Sequence, residues 1–393
     1  MSGTDHPASR MSDPSRPGTA RTWRDRWRTW RDRRLLDPGF HRWASASWLA
    51  RFIARRESRA LFDIVAGFTY SQVLFACVRL KLFDHLAQQG PQDTGALAHW
   101  MAMPDEGAQR LLAAAASLRL LERHDDGRWG LGALGAPMVV HPAIAAMVEH
   151  HATLYHDLAD PVALLRGERA ATAMSGYWPY ADTDPRAAPA RLGTERVAEY
   201  SQLMSASQPL VSEQVLQSYA LNRHRRLLDV GGGEGTFLRA VATHAPDLQL
   251  MLFDLPAVAD LARARLAEHG LADRVEVHGG SFFSDPLPRG ADLITLVRVL
   301  FDHPDDRVRQ ILRAVREALP EGGSVLVCEP MAGTPGAEAI GDAYYGLYLA
   351  AMGKGRSRSP AELTALLQSA GFADVRLLPT PLPLQTRVLL ARR

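Results

Sequence analysis

The sequence predicts an α/β fold, a Rossmann-like sheet of mostly parallel strands with a smaller, mostly helical N-terminal domain. Three observations support this prediction. From residue 226 onward, short apolar runs alternate with segments of helical periodicity. A glycine-rich turn follows the first of these runs. Upstream, apolar residues recur at helical spacing and are followed by one short hairpin pattern. Alternating strands and helices form a parallel sheet that helices cover on both faces.

Composition narrows the class of protein. A chain of 393 residues suits two domains, and 47% apolar residues are enough to fill their cores. A net charge of +2 gives no global case for nucleic-acid binding. Cys77 and Cys328 lie far apart in the chain, which predicts neither a disulfide framework nor a metal site and suits the reducing cytoplasm. We find no run of eighteen apolar residues and no signal peptide, so we expect neither a membrane span nor export.

The N-terminus divides into two predicted segments. Residues 1–20 are rich in Ser, Pro, Gly and Arg and are expected to be a disordered leader. Residues 21–57 form a basic aromatic extension, in which Trp23, Trp27 and Trp30 fall on one helical face beside arginines. Two interpretations stay open here. Either the tryptophans pack on the protein itself, or the helix docks peripherally on the cytoplasmic face of an anionic membrane.

Residues 58–193 are predicted to form a helical domain and a linker. A hairpin that turns at Asp126-Gly127 follows several short helices, an order that resembles a winged helix. These helices contain few cations, so we favour a structural role over DNA binding. The predicted elements are helices over 58–90, 94–100, 105–118 and 141–175, the hairpin over 120–131, and a proline-rich linker over 176–193.

Residues 194–393 are predicted to form the Rossmann-like domain. Its first helix covers residues 194–219 and leads into the glycine-rich turn. The predicted strands are 227–230, 249–253, 274–278, 292–297, 323–329, 373–378 and 385–391, and the helices between them are 235–244, 257–268, 304–318 and 360–370. In such a sheet, ligands bind at the carboxyl ends of the strands.

The glycine-rich turn is the most specific motif. It reads Asp229-Val230-Gly231-Gly232-Gly233-Glu234-Gly235, and the next predicted strand ends in Asp254. The dinucleotide fingerprint would require glycine where Thr236 stands, and the Gly-Lys-Ser/Thr of a phosphate loop is absent. The remaining pattern is a nucleoside site, in which glycines let the backbone approach the ligand and the second acid accepts the ribose hydroxyls.

Together these motifs resemble the S-adenosylmethionine (SAM)-dependent O-methyltransferases that join a winged-helix dimerisation domain to a Rossmann-like catalytic domain. The residues that resemble them are LLDVGGGEG, FDLP, the G-x-F-F loop and VLVCEP. Segments 37–43 and 60–74 are most similar to the carotenoid branch of purple phototrophic bacteria, which acts on demethylspheroidene or hydroxyneurosporene. The resemblance implies a homodimer and SAM as cofactor, with no metal.

The resemblance also implies the residues of the cofactor site. The glycines match those that let the backbone reach the methionine part, and Asp254 matches the acid on the ribose. Ser281 stands where an acid usually accepts the adenine amino group. The full set of expected cofactor residues is Asp229, Gly231, Gly232, Gly233, Gly235, Asp254, Leu255, Ser281, Phe282 and Arg298.

One departure from the family concerns the general base. Phenol-methylating relatives have a histidine where this chain has Phe301, which cannot accept a proton. Glu329 matches the first base-orienting glutamate, but the second orienting position is Ser357. We therefore predict a different proton acceptor, first His303 with Asp302 and second His156. An apolar tunnel for a polyene is expected, lined by Met204, Phe301, Tyr345 and Tyr348.

The resemblance implies a SAM-dependent O-methyltransferase that acts on the tertiary C1 hydroxyl of acyclic carotenoids. Three alternatives stay open from the sequence. In the first alternative, the substrate is a phenolic or polyketide hydroxyl. In the second, the protein binds SAM but catalyses a reaction other than methyl transfer. In the third, it is a winged-helix regulator that senses SAM.

Overall fold

A computed structural model describes residues 22–169, 171–177 and 207–393. It separates into two compact units, one through Val73 and one from Leu74 onward, and each is described by itself. The predicted leader over 1–20, the predicted linker beyond Tyr177 and the proposed tunnel residue Met204 lie outside the described residues.

The described part of the first unit is helical. It contains α1 (Trp23–Leu35), α2 (Pro38–Ala46) and most of α3 (Trp48–Arg79). Thr22 begins α1 with a capping box in which its hydroxyl and the Asp25 carboxylate exchange hydrogen bonds with each other's backbone. The boundary predicted at residue 57 does not coincide with the end of a helix, because α3 runs through it without interruption. Residues 48–57 contain neither Gly nor Pro, so nothing local ends the helix there.

Helix α3 contains no unbroken run of eighteen apolar residues, yet it meets a looser criterion for a membrane span. Its segment Ala50–Arg79 is long and apolar enough to cross a membrane by length and composition, and most of it is exposed. Small and polar residues interrupt its apolar runs, so a search for unbroken runs misses it. Length and composition alone are weak evidence for a span, because an apolar helix at a subunit interface meets the same criterion.

The second unit begins with short helices and a two-stranded hairpin. Its antiparallel strands β1 and β2 pair Leu121 with Leu131, and the turn between them passes through Gly127 at φ 85°. The order of helices followed by a hairpin agrees with the winged-helix expectation. These elements are α4 (Leu82–Gln89), α5 (Thr94–Trp100), α6 (Asp105–Ser117), β1 (Leu121–Arg123), β2 (Trp129–Leu131), α7 (Ala136–Val140), α8 (Pro142–Asp157), α9 (Pro161–Leu165) and α10 (Ala173–Tyr177).

The rest of the second unit is a seven-stranded mixed sheet with helices between its strands. Helix α11 (residues 207–218) precedes it. The strands are β3 (Arg226–Val230), β4 (Gln249–Asp254), β5 (Val275–Gly279), β6 (Leu293–Val297), β7 (Ser324–Glu329), β8 (Ala373–Leu378) and β9 (Arg387–Arg392). The helices are α12 (Thr236–His244), α13 (Pro256–Glu268), α14 (Asp305–Ala318), α15 (Tyr345–Met352) and α16 (Pro360–Ser369).

The order of the strands determines where a ligand can bind. The sheet reads β5-β4-β3-β6-β7-β9-β8; β3 to β7 are parallel, and β9 is antiparallel to both β7 and β8. The strand order reverses between β3 and β6, and ligands of open α/β sheets bind beside such a switch point. Buried apolar clusters on both faces of the sheet, one around Ile294 and one around Leu227, hold the helices in place.

Candidate active site

The glycine turn follows β3 directly at the switch point. Gly231, Gly233 and Gly235 have positive φ values of 72°, 57° and 81°, which L residues with a Cβ adopt at a cost. A Cβ at Gly231 would lie 2.8 Å from Val299 Cγ2, so the turn also needs glycine for packing. Among the described residues, no atom lies within 4 Å of the position that a Cβ on Gly233 would occupy. The backbone is therefore accessible to a ligand at Gly233.

Asp254 closes β4 beside this turn. Its Oδ2 accepts a hydrogen bond from the Gly233 N–H at 2.8 Å, and its Oδ1 accepts one from the Leu255 N–H at 2.7 Å. Burial raises the pKa of Asp254 to about 6, although both hydrogen bonds act in the opposite direction. Each carboxylate oxygen has a second lone pair, so the group can still accept from two adjacent hydroxyls.

Asp229 supports the turn from inside the sheet. The Thr295 hydroxyl donates to its Oδ1 at 2.7 Å, and burial raises the pKa of Asp229 to about 7. The Oδ2 atom lies 2.8 Å from the position that a Cβ on Gly232 would occupy, so Gly232 gives this carboxyl group room. Asp229 therefore supports the turn, and its predicted contact with the cofactor stays a prediction.

The turn after β5 contains Ser281 and Phe282. Ser281 is buried, and its N–H donates to Asp285 Oδ2 at 2.8 Å. The Phe282 ring packs edge-on against Phe283 and His303, with centroids 4.7 and 5.6 Å away. The sequence pattern gave no indication that Asp285 holds this turn, because it lies four residues beyond the expected position.

Arg298 follows β6 on the other side of the switch point. Its φ is 57°, a strained value for a residue with a side chain, and its N–H donates to the Cys328 carbonyl at 2.8 Å. The guanidinium donates to the Ser207 hydroxyl at 2.7 Å and to the Gln208 amide oxygen at 2.5 Å, both in α11. Arg298 thus joins the end of β6 to α11.

Phe301 occupies a short 3₁₀ turn, Leu300–Asp302, after β6. Its N–H donates to Glu329 Oε2 at 3.1 Å, so Glu329 holds the backbone at this position. The ring is buried, and Tyr345 packs edge-on against it at 6.1 Å between centroids. The apolar cluster around Phe301 consists of Leu154, Leu164, Met174, Tyr348, Leu349, Ala351 and Met352.

Two buried carboxyl groups belong to the residues next to Phe301, Asp302 in the same turn and Glu329 on the Phe301 N–H. Asp302 Oδ1 and Glu329 Oε1 are buried without a hydrogen-bond partner among the described residues. Burial and the neighbouring Glu329 charge raise the pKa of Asp302 well above its ordinary value, and burial raises the pKa of Glu329 to about 7. The nearby hydroxyl of Ser357 also lacks a partner within the described part of the chain. Such desolvated acids favour the protonated state, in which they cannot accept a proton.

His303 lies beside this pair in sequence but has different surroundings. Its ring packs edge-on against Phe282 and Phe283. Burial, together with the cations Arg358, Arg307 and Lys354, lowers the pKa of His303 to about 4. No hydrogen bond joins its ring to Asp302 within the described ranges. The role of His303 as proton acceptor stays a prediction, and these surroundings oppose it because imidazolium would face three cations.

The histidines of α8 lie on different sides of that helix. His156 is exposed, whereas His150 is buried and His151 is partly buried. His150 Nε2 lies 3.1 Å from the Tyr348 hydroxyl, and His151 Nε2 lies 2.9 Å from the Tyr344 hydroxyl. His156 is six residues beyond His150, about 240° around an α-helix, which explains why one faces solvent when the other is buried. The predicted role of His156 therefore has no support from its position.

Sequence reasoning missed Arg358, which is fully buried. Its guanidinium donates to the carbonyls of Leu300 at 2.9 Å and His303 at 2.6 Å, and to Asp305 Oδ1 at 2.8 Å. Arg358 thereby fixes the turn that contains Phe301. No motif marks it, because it lies among exposed basic residues in a stretch that reads as a loop.

Comparisons with known proteins agree with this geometry. Residues 62–140 match an O-methyltransferase dimerisation domain, and residues 155–373 match an O-methyltransferase domain. The chain is 49% identical to a demethylspheroidene O-methyltransferase of Cereibacter sphaeroides over 84% of its length and 85% of the relative. It is 42% identical to the protein of the same name from Rhodobacter capsulatus, covering 87% of this chain and 84% of that relative.

Solved structures give the same result for the fold. Human N-acetylserotonin methyltransferase in complex with SAM is 27% identical, with a TM-score of 0.72 over 86% of this chain and 97% of that one. The residues present here fit the same cofactor. Gly233 exposes its backbone, and the Asp254 carboxylate is held beside it with lone pairs for a ribose. On this evidence, the chain belongs to the SAM-dependent O-methyltransferases that form homodimers through an N-terminal dimerisation domain.

Proposed function

We propose that this enzyme methylates the tertiary C1 hydroxyl of an acyclic carotenoid of the demethylspheroidene or hydroxyneurosporene type. The observation that carries the proposal is Phe301, an apolar ring within an apolar cluster at the position where phenol-methylating relatives have a histidine base. Phe301, Tyr345 and Tyr348 form a wall suited to a polyene chain. The names of the relatives at 49% and 42% identity support the same substrate.

Displacement at a methyl carbon requires the hydroxyl oxygen, the carbon and the leaving sulfur to lie in line. When bound, SAM supplies an electrophilic methyl group on a sulfonium sulfur. We propose that Gly231, Gly233 and Gly235 admit the methionine part, and that Asp254 binds the ribose. Leu255, Ser281, Phe282 and Arg298 enclose the rest of the cofactor. The apolar wall excludes water and aligns the substrate, and such positioning can account for much of the rate.

A tertiary alcohol is a very weak acid, so its proton leaves during or after the attack on carbon rather than before it. This order of events removes the need for a strong base beside the substrate, in keeping with Phe301. An acceptor within hydrogen-bond distance is still required.

In the test, purified enzyme is incubated with isotope-labelled SAM and with one of two substrates. These substrates are a 1-hydroxy acyclic carotenoid in detergent micelles and a simple phenol. We expect label in a carotenoid methyl ether, identified by mass spectrometry, with one S-adenosylhomocysteine formed per ether. Labelled phenol ether without labelled carotenoid would overturn the substrate assignment and favour the phenolic alternative. That alternative has support from an acetylserotonin O-methyltransferase of Mus musculus, 35% identical over 86% of this chain and 88% of the relative.

We also propose that helix α1 attaches the enzyme peripherally to an anionic membrane on its cytoplasmic side, where a carotenoid resides. Trp23, Trp27 and Trp30 are 73%, 52% and 56% exposed. Arg24, Arg31 and Arg34 lie 5.6 to 5.7 Å from the centroids of these rings. Exposed aromatic rings flanked by guanidinium groups suit the headgroup region of a bilayer, where anionic lipids attract the charge.

Co-sedimentation with lipid vesicles tests the membrane proposal. We expect binding to vesicles with one-third phosphatidylglycerol, weak binding to pure phosphatidylcholine, and a strong decrease for the variant R24Q/R31Q/R34Q. A control variant of the same charge change, R110Q/R309Q/R313Q, alters three exposed arginines of the second unit and should bind as wild type does. If both variants lost vesicle binding equally, net charge alone would explain the binding, and a site on α1 would be contradicted.

A further inference from the structure

The buried pair of His150 and Tyr348 links two elements that are remote in sequence. His150 belongs to α8 and Tyr348 to α15, and their side chains lie 198 residues apart in the chain but 3.1 Å apart in space. Both side chains are buried, at 9% and 7% exposure. A separation of 3.1 Å between ring nitrogen and hydroxyl oxygen is within the range for direct proton transfer.

The pair stands beside the ring that replaces the usual base. Tyr348 belongs to the same apolar cluster as Phe301, and Tyr345 packs against both, at 6.1 Å from Phe301 and 6.4 Å from Tyr348. Asp302 and Arg298 are near enough to act on the Tyr348 hydroxyl electrostatically. The hydroxyl therefore lies in the wall where a substrate oxygen is expected.

The other candidate acceptors are less suited to the task. Burial raises the pKa of Asp302 and so disfavours the ionised form that could accept a proton, and one oxygen of Glu329 already accepts the Phe301 backbone N–H. His303 faces three cations, and His156 is exposed. His150, by contrast, is neutral at physiological pH, since burial lowers its pKa to about 4. A neutral imidazole has a nitrogen lone pair that accepts from a tyrosine hydroxyl.

We propose that Tyr348 and His150 together receive the proton that the substrate hydroxyl loses, an inference that rests on the proposed carotenol substrate. The substrate oxygen forms its bond to the methyl carbon as the carbon–sulfur bond breaks and sulfur keeps that electron pair. The hydroxyl proton of the substrate moves to Tyr348 Oη, while the tyrosine's own proton moves to His150 Nε2. The products are the methyl ether, S-adenosylhomocysteine and a protonated His150, which passes its proton to water during product release.

The low basicity of His150 does not prevent this step. Once the oxygen has bonded to the methyl carbon and still holds its proton, it is an oxonium, a far stronger acid than imidazolium. Transfer to a buried histidine is therefore downhill. Tyr348 is the catalytic residue in this scheme because it touches the substrate, and His150 is a positioning residue that acts through it.

The test compares H150Q, Y348F and the double variant with wild type, using H151Q as the matched control from the neighbouring pair. Both single variants should lower kcat on the carotenol about 100-fold while KM changes less than threefold. The double variant should be no worse than the poorer single variant, because the two groups act as a unit. H151Q should stay within about threefold of wild type.

A second readout does not depend on turnover. In protein labelled with ¹⁵N-histidine and free of SAM, Y348F should shift the His150 Nε2 resonance and leave that of His151 in place. An unshifted resonance, or a kcat of Y348F within threefold of H151Q, would overturn the proposal even if H150Q failed to fold. Absence of carotenol turnover by wild type would instead overturn the proposed function, so the two failures are distinguishable.

Discussion

At the residue scale, the proposed choice of an aliphatic over a phenolic hydroxyl depends on the side chain at position 301. Beside the Phe301 backbone, the buried carboxyl groups of Asp302 and Glu329 each have one oxygen without a hydrogen-bond partner in the part of the chain that the structure describes. The ring supplies apolar surface and no acceptor. By the family resemblance, Glu329 is retained although Phe301 replaces the histidine that it would orient in phenol-methylating relatives.

Replacing Phe301 with histidine should therefore change the substrate preference. In F301H, the new imidazole can hydrogen-bond to Glu329 and act on an acidic phenol, so we expect phenol methylation to rise above the wild-type background. Carotenol turnover should fall about tenfold, because a polar ring enters an apolar wall. Labelled SAM assays on both substrates measure this. F301L is the control, and equal phenol activity in F301L and F301H would contradict the account.

His303 provides a pH-dependent contribution to stability. Its folded-state pKa of about 4 is below the ordinary value of 6.5, so between these values the unfolded chain binds the proton more readily. The contribution is fully present above pH 6.5 and is lost as the pH falls toward 4. From pH 7 to pH 5, wild type should lose on the order of 1 to 2 kcal/mol more unfolding free energy than H303Q. Parallel urea titrations measure this difference, and identical pH profiles would contradict it.

Among the elements, the strands and helices from β3 to β9 were predicted with ends within two residues of those observed. Apolar runs bounded by Gly and Pro locate such strands directly. Helix α15 and the π-turn Ala339–Tyr344 before it were not predicted. Gly341 and Gly346 weaken the local helical preference there, and packing of tyrosines against α8 stabilises the helix instead.

The cofactor half of the site was more predictable than the catalytic half. A contiguous motif from Asp229 to Gly235 encodes the glycine turn, and Asp254 follows at a regular distance. The pair of His150 and Tyr348 forms only when α8 packs on α15, so no local spacing announces it. Which histidine of α8 turns inward depended on where the buried face of that helix lies.

The turn that contains Phe301 depends on Arg358. R358A should lower the unfolding free energy by about 3 to 5 kcal/mol, because Asp305 and two carbonyls would lose a buried charged partner. R356A is the matched control. Arg356 also binds Asp305 but is exposed, so its loss should cost about 1 kcal/mol or less. Urea denaturation measures the unfolding free energy of both variants. An equal decrease in R358A and R356A would contradict the stabilising role of the buried Arg358.

At the scale of the whole molecule, the apolar helix α3 is explained by assembly. Leu61, Phe62, Ile64, Val65 and Phe68 are all more than 60% exposed in the single chain. The dimerisation domain begins at residue 62, within this helix. A homodimer interface accounts for apolar side chains on this scale, and it needs no membrane span. Membrane contact is proposed only for the tryptophans and arginines of α1.

The central claim is that SAM binds over the glycine turn with its ribose on Asp254. Titration calorimetry of SAM into the dimer tests it most directly, with D254N as the variant and D260N, an exposed aspartate of α13, as the control. We expect one SAM to bind per chain. D254N should bind SAM roughly 100-fold more weakly, because it loses about 3 kcal/mol of charge-assisted hydrogen bonds, and D260N should bind SAM as wild type does. No heat of binding in the wild type, or equal affinity in D254N, would contradict the account.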